Sequence, residues 1–258
     1  MAIDMFFLSP DKPPSESRLF DESLSFTGSW LPSQMFPKDE ASSYLDERRR
    51  LLWAPLLIPI AFGENTAYRG FDGRIDCAAD LSAKEWLCLH LLDEAKHTEA
   101  FAIFLRYLYP SFEHAEEIYA VPTEVRRYFA ISHGYKLHHW LLSLQIIEVF
   151  AKHCFAILVR QFGGDRWAGP FFRQLLHDEQ RHVTFIRMLI QRAKQELGER
   201  NWRSRNERTV VDTVRLAQLC FLGRENRKVG LFDKMEVDIE NLCRAAAVEV
   251  FEALDVSD

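Results

Sequence analysis

From about Glu40 onward, apolar residues recur along the chain at helical intervals, and no stretch alternates apolar with polar in the manner of a half-buried strand. Pro55 and Pro59 break or kink the approach to a first core helix, which is expected to end near Tyr68, before Gly70 and Gly73 punctuate a loop. Ser82-Ala83-Lys84-Glu85 has the form of a capping box, in which the serine accepts from a free amide and the glutamate reaches back. The second helix should run from there to Tyr109, stopping before Pro110. Residues 111–134 read as a connector of partly helical character, interrupted by Pro122 and Gly134. A third long helix is expected over 135–162, ended by Gly163 and Gly164. Pro170 suits the first turn of a fourth, which runs to Leu197 before Gly198. Two more amphipathic patterns occupy 205–222 and 235–254. The class is all-α, with an irregular arm over 1–40 and a single helical domain over 41–258. Phe20, Phe26, Trp30 and Phe36 in the arm are expected to pack onto the main body, since a wholly disordered tail carries fewer aromatics.

At 258 residues the chain can bury a sizeable core. A formal net charge of −6 and a pI near 5.9 leave no basic footprint for nucleic acid. The five cysteines (Cys77, Cys88, Cys154, Cys220, Cys243) are scattered and never form C-x-x-C. They read as reduced thiols rather than a disulfide framework or a zinc or iron–sulfur knot. The N-terminus MAIDMFFLSP lacks the basic region of a secretory signal. Residues 51–62, the longest apolar candidate, fall short of the ~20 needed to cross a bilayer. No membrane association is expected, and the chain reads as cytoplasmic. Glycine-rich phosphate loops are absent, which excludes a nicotinamide or flavin dinucleotide fold.

The candidate chemistry lies in a sequence echo. Asp93-Glu94-Ala95-Lys96-His97 returns as Asp178-Glu179-Gln180-Arg181-His182, and each copy follows a lone glutamate in an apolar segment. Glu64 precedes Glu94 by 30 residues, and Glu148 precedes Glu179 by 31. On a helix, residues at i and i+3 share a face, so Glu94 with His97, and Glu179 with His182, can each present a carboxylate oxygen and an imidazole nitrogen to one point. Glu64 and Glu148 complete a set of four carboxylates and two histidines. Four buried carboxylates without counter-charge would be very costly, and two divalent cations would supply it. Hard oxygen donors suit iron.

The order Glu64, Glu94-x-x-His97, Glu148, Glu179-x-x-His182 resembles the ferritin-like di-iron carboxylate superfamily, whose ligand pattern it matches. Within it, DEAKHTEAF and DEQRHVTF look most like the ribonucleotide-reductase small-subunit-like oxidases and oxygenases. The resemblance covers a metal-binding core over about 55–195, and reaches neither the arm nor the C-terminal helices of 200–258. It implies a ferritin-like four-helix bundle holding two iron ions, or manganese and iron, with dioxygen as co-substrate and a small organic molecule as substrate. Electrons would come from an external donor of the ferredoxin or reductase type, and a homodimer is compatible with it. Asp93 and Asp178 would orient the ligating histidines from behind.

Departures from the family's patterns bear on what the oxidant does. A radical-storing subunit has a tyrosine where this chain has Phe101, and uses a C-terminal tyrosine; here all seven tyrosines lie at or before Tyr135. The valine–tyrosine crosslink of the ligand-binding oxidases is unavailable at Thr66 and Ser143. Hydrocarbon hydroxylases carry a threonine where this chain has Lys152, read either as a substrate anchor or as a lysine snorkelling outward. N-oxygenases add a histidine at the place of Leu175, whereas His90 occupies the pseudo-symmetric place before Glu94 as a candidate extra ligand or a core histidine. Tyr68, Phe101, Phe155, Leu175 and Ile186, one turn from the ligands, are expected to line an apolar pocket. The expected activity is oxygenation or oxidation of a small molecule. The alternatives are a metal-radical subunit and a ferroxidase or rubrerythrin-like peroxide scavenger.

Overall fold

A computed structural model describes residues 25, 30–35, 47–71, 73–78, 80–108, 123–133, 135–223 and 229–254. Among them every regular element is helical: α1 (Pro32–Met35), α2 (Glu47–Gly70), α3 (Leu81–Leu108), α4 (Thr123–His133), α5 (Leu137–Phe162), α6 (Ala168–Leu197), α7 (Glu199–Leu222), α8 (Val229–Lys234) and α9 (Ile239–Leu254). Helices α2, α3, α5 and α6 surround a common interior, α5 and α6 forming the most extensive pairing. Helix α7 packs on α5 and carries α4, while α9 covers another side of α5.

Several boundaries differ from the expectation for identifiable reasons. Pro55 and Pro59 lie inside α2, not before it. An interior proline costs roughly 3 kcal/mol. Burial of Leu56, Leu57, Ile58 and Ile60, at about 1.5–3 kcal/mol each, outweighs that. The start of α3 is capped by Asp80 rather than by Ser82: its Oδ1 accepts from the Ala83 amide at 2.8 Å. Helix α4 occupies the second half of the expected connector, and α7 begins directly after Gly198 rather than at 205. The expected last helix begins at Ile239 rather than 235, because Glu236 adopts a left-handed φ of 56° and Asp238 then caps α9 through the Asn241 amide at 2.8 Å.

The turn between α5 and α6 is tight. A Cβ on Gly169 would lie 2.8 Å from the Gly163 carbonyl oxygen and 2.9 Å from that of Phe162, so only glycine permits this approach. Asp165 Oδ1 caps α6 by accepting from the amides of Trp167 (2.8 Å) and Ala168 (2.7 Å). Beneath the turn, Phe104, Phe162, Phe171 and Phe172 pack with ring centroids 5.0–6.5 Å apart. Helix α5, not 51–62, is the most apolar long segment. It is long and apolar enough to cross a membrane, yet 67% of its apolar window is buried within the fold. Of the arm's aromatics, Trp30 packs into the core as expected, 5% exposed; Phe20, Phe26 and Phe36 lie outside the described residues.

Candidate metal centre

Each of the four inner helices brings part of one cluster. Glu64 comes from α2, Glu94 and His97 from α3, Glu148 from α5, and Glu179 and His182 from α6; all six are buried. Their donor atoms fall into two sets: Glu64, Glu94, His97 and Glu179 in one, and His90, Glu94, Glu148 and His182 in the other. Within each set the donors lie within 4.8 Å of one another, close to the span across one bound cation with bonds of roughly 2.0–2.3 Å.

The histidines present Nδ1 to the carboxylates. His97 Nδ1 lies 2.9 Å from Glu64 Oε2 and 3.5 Å from Glu179 Oε1. His182 Nδ1 lies 3.2 Å from Glu148 Oε2 and 3.5 Å from Glu94 Oε1. Glu94 and Glu179 each face both histidines, and so stand between the two sets. The opposite nitrogens are held crosswise. His97 Nε2 meets Asp178 Oδ2 of α6 at 3.3 Å, and His182 Nε2 meets Asp93 Oδ2 of α3 at 3.4 Å. Each aspartate thus orients the histidine of the other motif, which fixes Nε2 as the protonated nitrogen and frees Nδ1 as a donor to a cation.

Behind the aspartates lies a residue the motif reading passed over. Arg181 Nη2 donates to Asp93 Oδ2 at 2.8 Å and to Asp178 Oδ1 at 2.6 Å, tying α3 to α6. Its one signal in the sequence is a basic residue in the variable part of DEQRH. Lys96, in the equivalent stretch DEAKH, reaches Asp93 Oδ1 at 3.4 Å and lies 4.4 Å over the Trp30 ring. Trp30 Nε1 in turn donates to Asp178 Oδ2 at 3.2 Å.

The electrostatics show what the cluster needs. Burial and the neighbouring Glu94 push Glu64 up to about 7. Burial and Glu148 push Glu179 well above the carboxylate range. Burial alone would raise Glu148, but His90 holds it well below. Burial alone would likewise raise Asp93, yet His182 and Arg181 bring it to about 2. Glu94 Oε1, Glu179 Oε2 and both ring nitrogens of His90 are buried without a hydrogen-bond partner. Excess negative charge and unsatisfied donors converging on two points fit two bound cations.

The remaining predicted residues fall elsewhere. Phe101, Phe155, Leu175 and Ile186 are fully buried core. The apolar cavity that reaches the carboxylates lies instead between α2, α4, α5 and α7, bounded by Gly63, Val125, Phe129, Ile147, Ala151, Cys220 and Phe221, with Glu64, Glu94, Glu148 and Glu179 at its end. The centres of water-sized molecules have about 60 Å³ there, room for more than one such molecule. Sequence spacing picked residues one turn along each ligand helix; α4 and α7, which supply much of the observed lining, hold no ligand and gave no signal. Lys152 does not face the cluster: its ammonium pairs with Glu249 of α9, which also bonds His153 Nε2 at 2.9 Å. The Tyr68 side chain lies outside the described residues.

Fold and cluster together define a ferritin-like helical bundle with an interior carboxylate–histidine centre. The solved structures it resembles include R2-like ligand-binding oxidases. A valine-to-leucine mutant of such an oxidase, with an anaerobically reconstituted Mn/Fe cofactor, is 15% identical, with a TM-score of 0.70 over 96% of this chain and 95% of that one. An oxidase with an aerobically reconstituted Mn/Fe cofactor is 17% identical, with a TM-score of 0.61 over 100% and 99%. At such identity the likeness is one of fold. No family profile and no characterised protein matches the chain by sequence.

Proposed function

We propose that the protein is an oxidase or oxygenase that uses two metal ions, iron with iron or manganese with iron, to oxidise a small organic molecule with dioxygen. The observation that carries this is the pair of buried four-donor sets sharing Glu94, among which Glu94 Oε1, Glu179 Oε2 and both His90 nitrogens make no hydrogen bond. In this reading Glu64 and His97 would hold one ion and Glu148 and His182 the other, with Glu94 and Glu179, which face both histidines, available to either. The bound pair would supply the redox capacity for dioxygen chemistry. Asp178 and Asp93 keep the imidazole Nε2 protons in place, so that Nδ1 remains the coordinating atom. The apolar cavity ending at the four glutamates admits dioxygen and the apolar part of a substrate, while Phe129, Ile147 and Phe221 limit water. With no nucleotide or iron–sulfur motif in the sequence, electrons come from an external reductant of the ferredoxin or reductase type. The R2-like ligand-binding oxidases, which share the fold and carry Mn/Fe, support the same reading.

Metal analysis of the protein reconstituted without oxygen tests it. Two ions per chain, with oxygen uptake stimulated by a small organic substrate, is the expected result. Glu179→Ala should lose at least one ion per chain. Unchanged metal content in Glu179→Ala would sink the assignment, and accumulation of an iron mineral would favour a ferroxidase instead.

A further inference from the structure

We propose that His90 is a second imidazole donor at the Glu148–His182 position, and that it makes the two metal positions unequal, directing iron rather than manganese to that side. The inference rests on the two-metal reading above and adds a seventh ligand and a metal preference to it.

His90 is 2% exposed and sits on α3, one turn before Glu94. Its Nε2 lies 3.3 Å from Glu148 Oε1 and 3.4 Å from Glu94 Oε1, without hydrogen-bond geometry to either. Nδ1 has no hydrogen-bond partner. A buried imidazole that makes no hydrogen bond through either nitrogen is unfavourable, even with carboxylates nearby. A cation bound by Nε2 removes part of that penalty and uses the same carboxylate oxygens that Nε2 already faces.

The ring is also held in place. It stacks on His182 with centroids 3.7 Å apart and planes 21° from parallel. Phe71 also packs edge-on against it at 4.9 Å, itself braced by Trp140 at 5.1 Å. Packing therefore presents two imidazole nitrogens, His90 Nε2 and His182 Nδ1, to one place beside Glu148 and Glu94.

The opposite position differs. Its set holds one imidazole, His97, with Glu64, Glu94 and Glu179. The residue that corresponds to His90 on α6, four before Glu179, is Leu175, which is fully buried and offers no donor. With Glu94 and Glu179 facing both sides, the chain thus builds a two-imidazole position beside a one-imidazole one, each with one further glutamate of its own. Nitrogen donors favour iron over manganese, both by ligand type and by the Irving–Williams order, while carboxylate-rich sites accept manganese. The asymmetry needs no difference in protein charge; it follows from His90 against Leu175.

The test is reconstitution of the full chain, without oxygen, with equimolar ferrous and manganous ions. Total metal is then measured, and each position is identified by anomalous diffraction at the iron and manganese edges. The expected result is iron at the His90 position, with Nε2 within about 2.0–2.3 Å of it. In His90→Gln the other position should still fill, while the iron-to-manganese ratio at the altered one falls on the order of tenfold or more. An unchanged ratio in His90→Gln, or a wild-type crystal in which Nε2 stays beyond bonding distance of a bound ion, overturns the proposal and leaves the six-ligand centre standing. If His90→Gln fails to fold, the wild-type distance decides alone. A wild-type chain that takes up no metal overturns the two-metal reading itself.

Discussion

Replacing Arg181 by glutamine removes a cation that touches both buried aspartates. The guanidinium is 12% exposed and bonds Asp93 at 2.8 Å and Asp178 at 2.6 Å, whose side chains are 1% and 0% exposed. Deleting one partner of a buried ion pair costs about 3–5 kcal/mol, because the charges left behind stay desolvated. Neighbours soften this without cancelling it: Lys96 still reaches Asp93, and Trp30 and Gln174 still donate to Asp178. For a chain of this size each kcal/mol shifts the melting temperature by about 2–4 °C. The metal-free Arg181→Gln protein should therefore melt on the order of 10 °C lower. A second effect separates positioning from plain stability. Asp93 and Asp178 hold the Nε2 atoms of His182 and His97, and loosening such partners lowers metal affinity by roughly 10–100-fold. Below its melting temperature, the variant should need correspondingly more ferrous ion for half-saturation. Arg181→Lys keeps the charge but not the planar fork, and should fall between the two. Calorimetric melting and anaerobic iron titration read both effects. A variant that melts within about 2 °C of the parent, less than 1 kcal/mol, and binds iron equally well would refute the clamp.

The remaining predictions concern parts of the fold where sequence and structure disagree. Lys152→Met should leave metal content unchanged, since the amine faces Glu249; a loss of metal would return the lysine to the centre. Burial alone would raise the Glu249 pKa, but His153 and Lys152 hold it below 4.5. Its contribution to stability is therefore present above the unfolded value and is lost as pH falls through the lower folded one. Glu249→Gln should flatten melting temperature against pH in that acid window and change little near neutrality, and an unchanged acid limb would count against the pair. Asp80→Ala should destabilise by about 1 kcal/mol through loss of the α3 cap, whereas Ser82→Ala should be nearly neutral. Thermal melts of the two variants giving the reverse order would restore the capping box.

How much was legible depended on whether a residue's partners were local. The E-x-x-H pairs fix their own geometry within one helical turn, so Glu94 with His97 and Glu179 with His182 could be read from spacing. Glu64 and Glu148 were legible because an isolated acid in an apolar helix needs a reason to be there. The fold class followed from the same helical periodicity. The crosswise bonding of Asp93 and Asp178 was not legible, because both aspartates precede a motif in the same way and only the packing of α3 on α6 shows which histidine each meets. Lys152 was ambiguous for the same cause: one turn from Glu148 places it on a helix face, and the acid that claims it lies 97 residues later on α9. The cavity was misplaced because α4 and α7 wall it without contributing chemistry to any motif.

The division of charge in the interior gives the strongest physical case for bound cations. The six buried carboxylates fall into two classes. Asp93 and Asp178 face protein cations and donors, Arg181 and Lys96 at one, Arg181, Trp30 and Gln174 at the other. Asp93 settles at about 2, and Asp178 lies well below its usual value although burial opposes it. The four glutamates face imidazoles and one another, and two of them, Glu64 and Glu179, are driven upward by burial and mutual repulsion. A structural ion-pair network would distribute its cations where the repulsion is greatest. Here Arg181 and Lys96 serve the outer aspartates, which orient histidines, while the inner glutamates are left to groups that a metal can replace. Two divalent ions would balance four glutamates while leaving the imidazoles neutral, and neutral imidazoles are what coordination requires. The arrangement suits a scaffold whose own charges position ligands and whose central charge would come from bound cations.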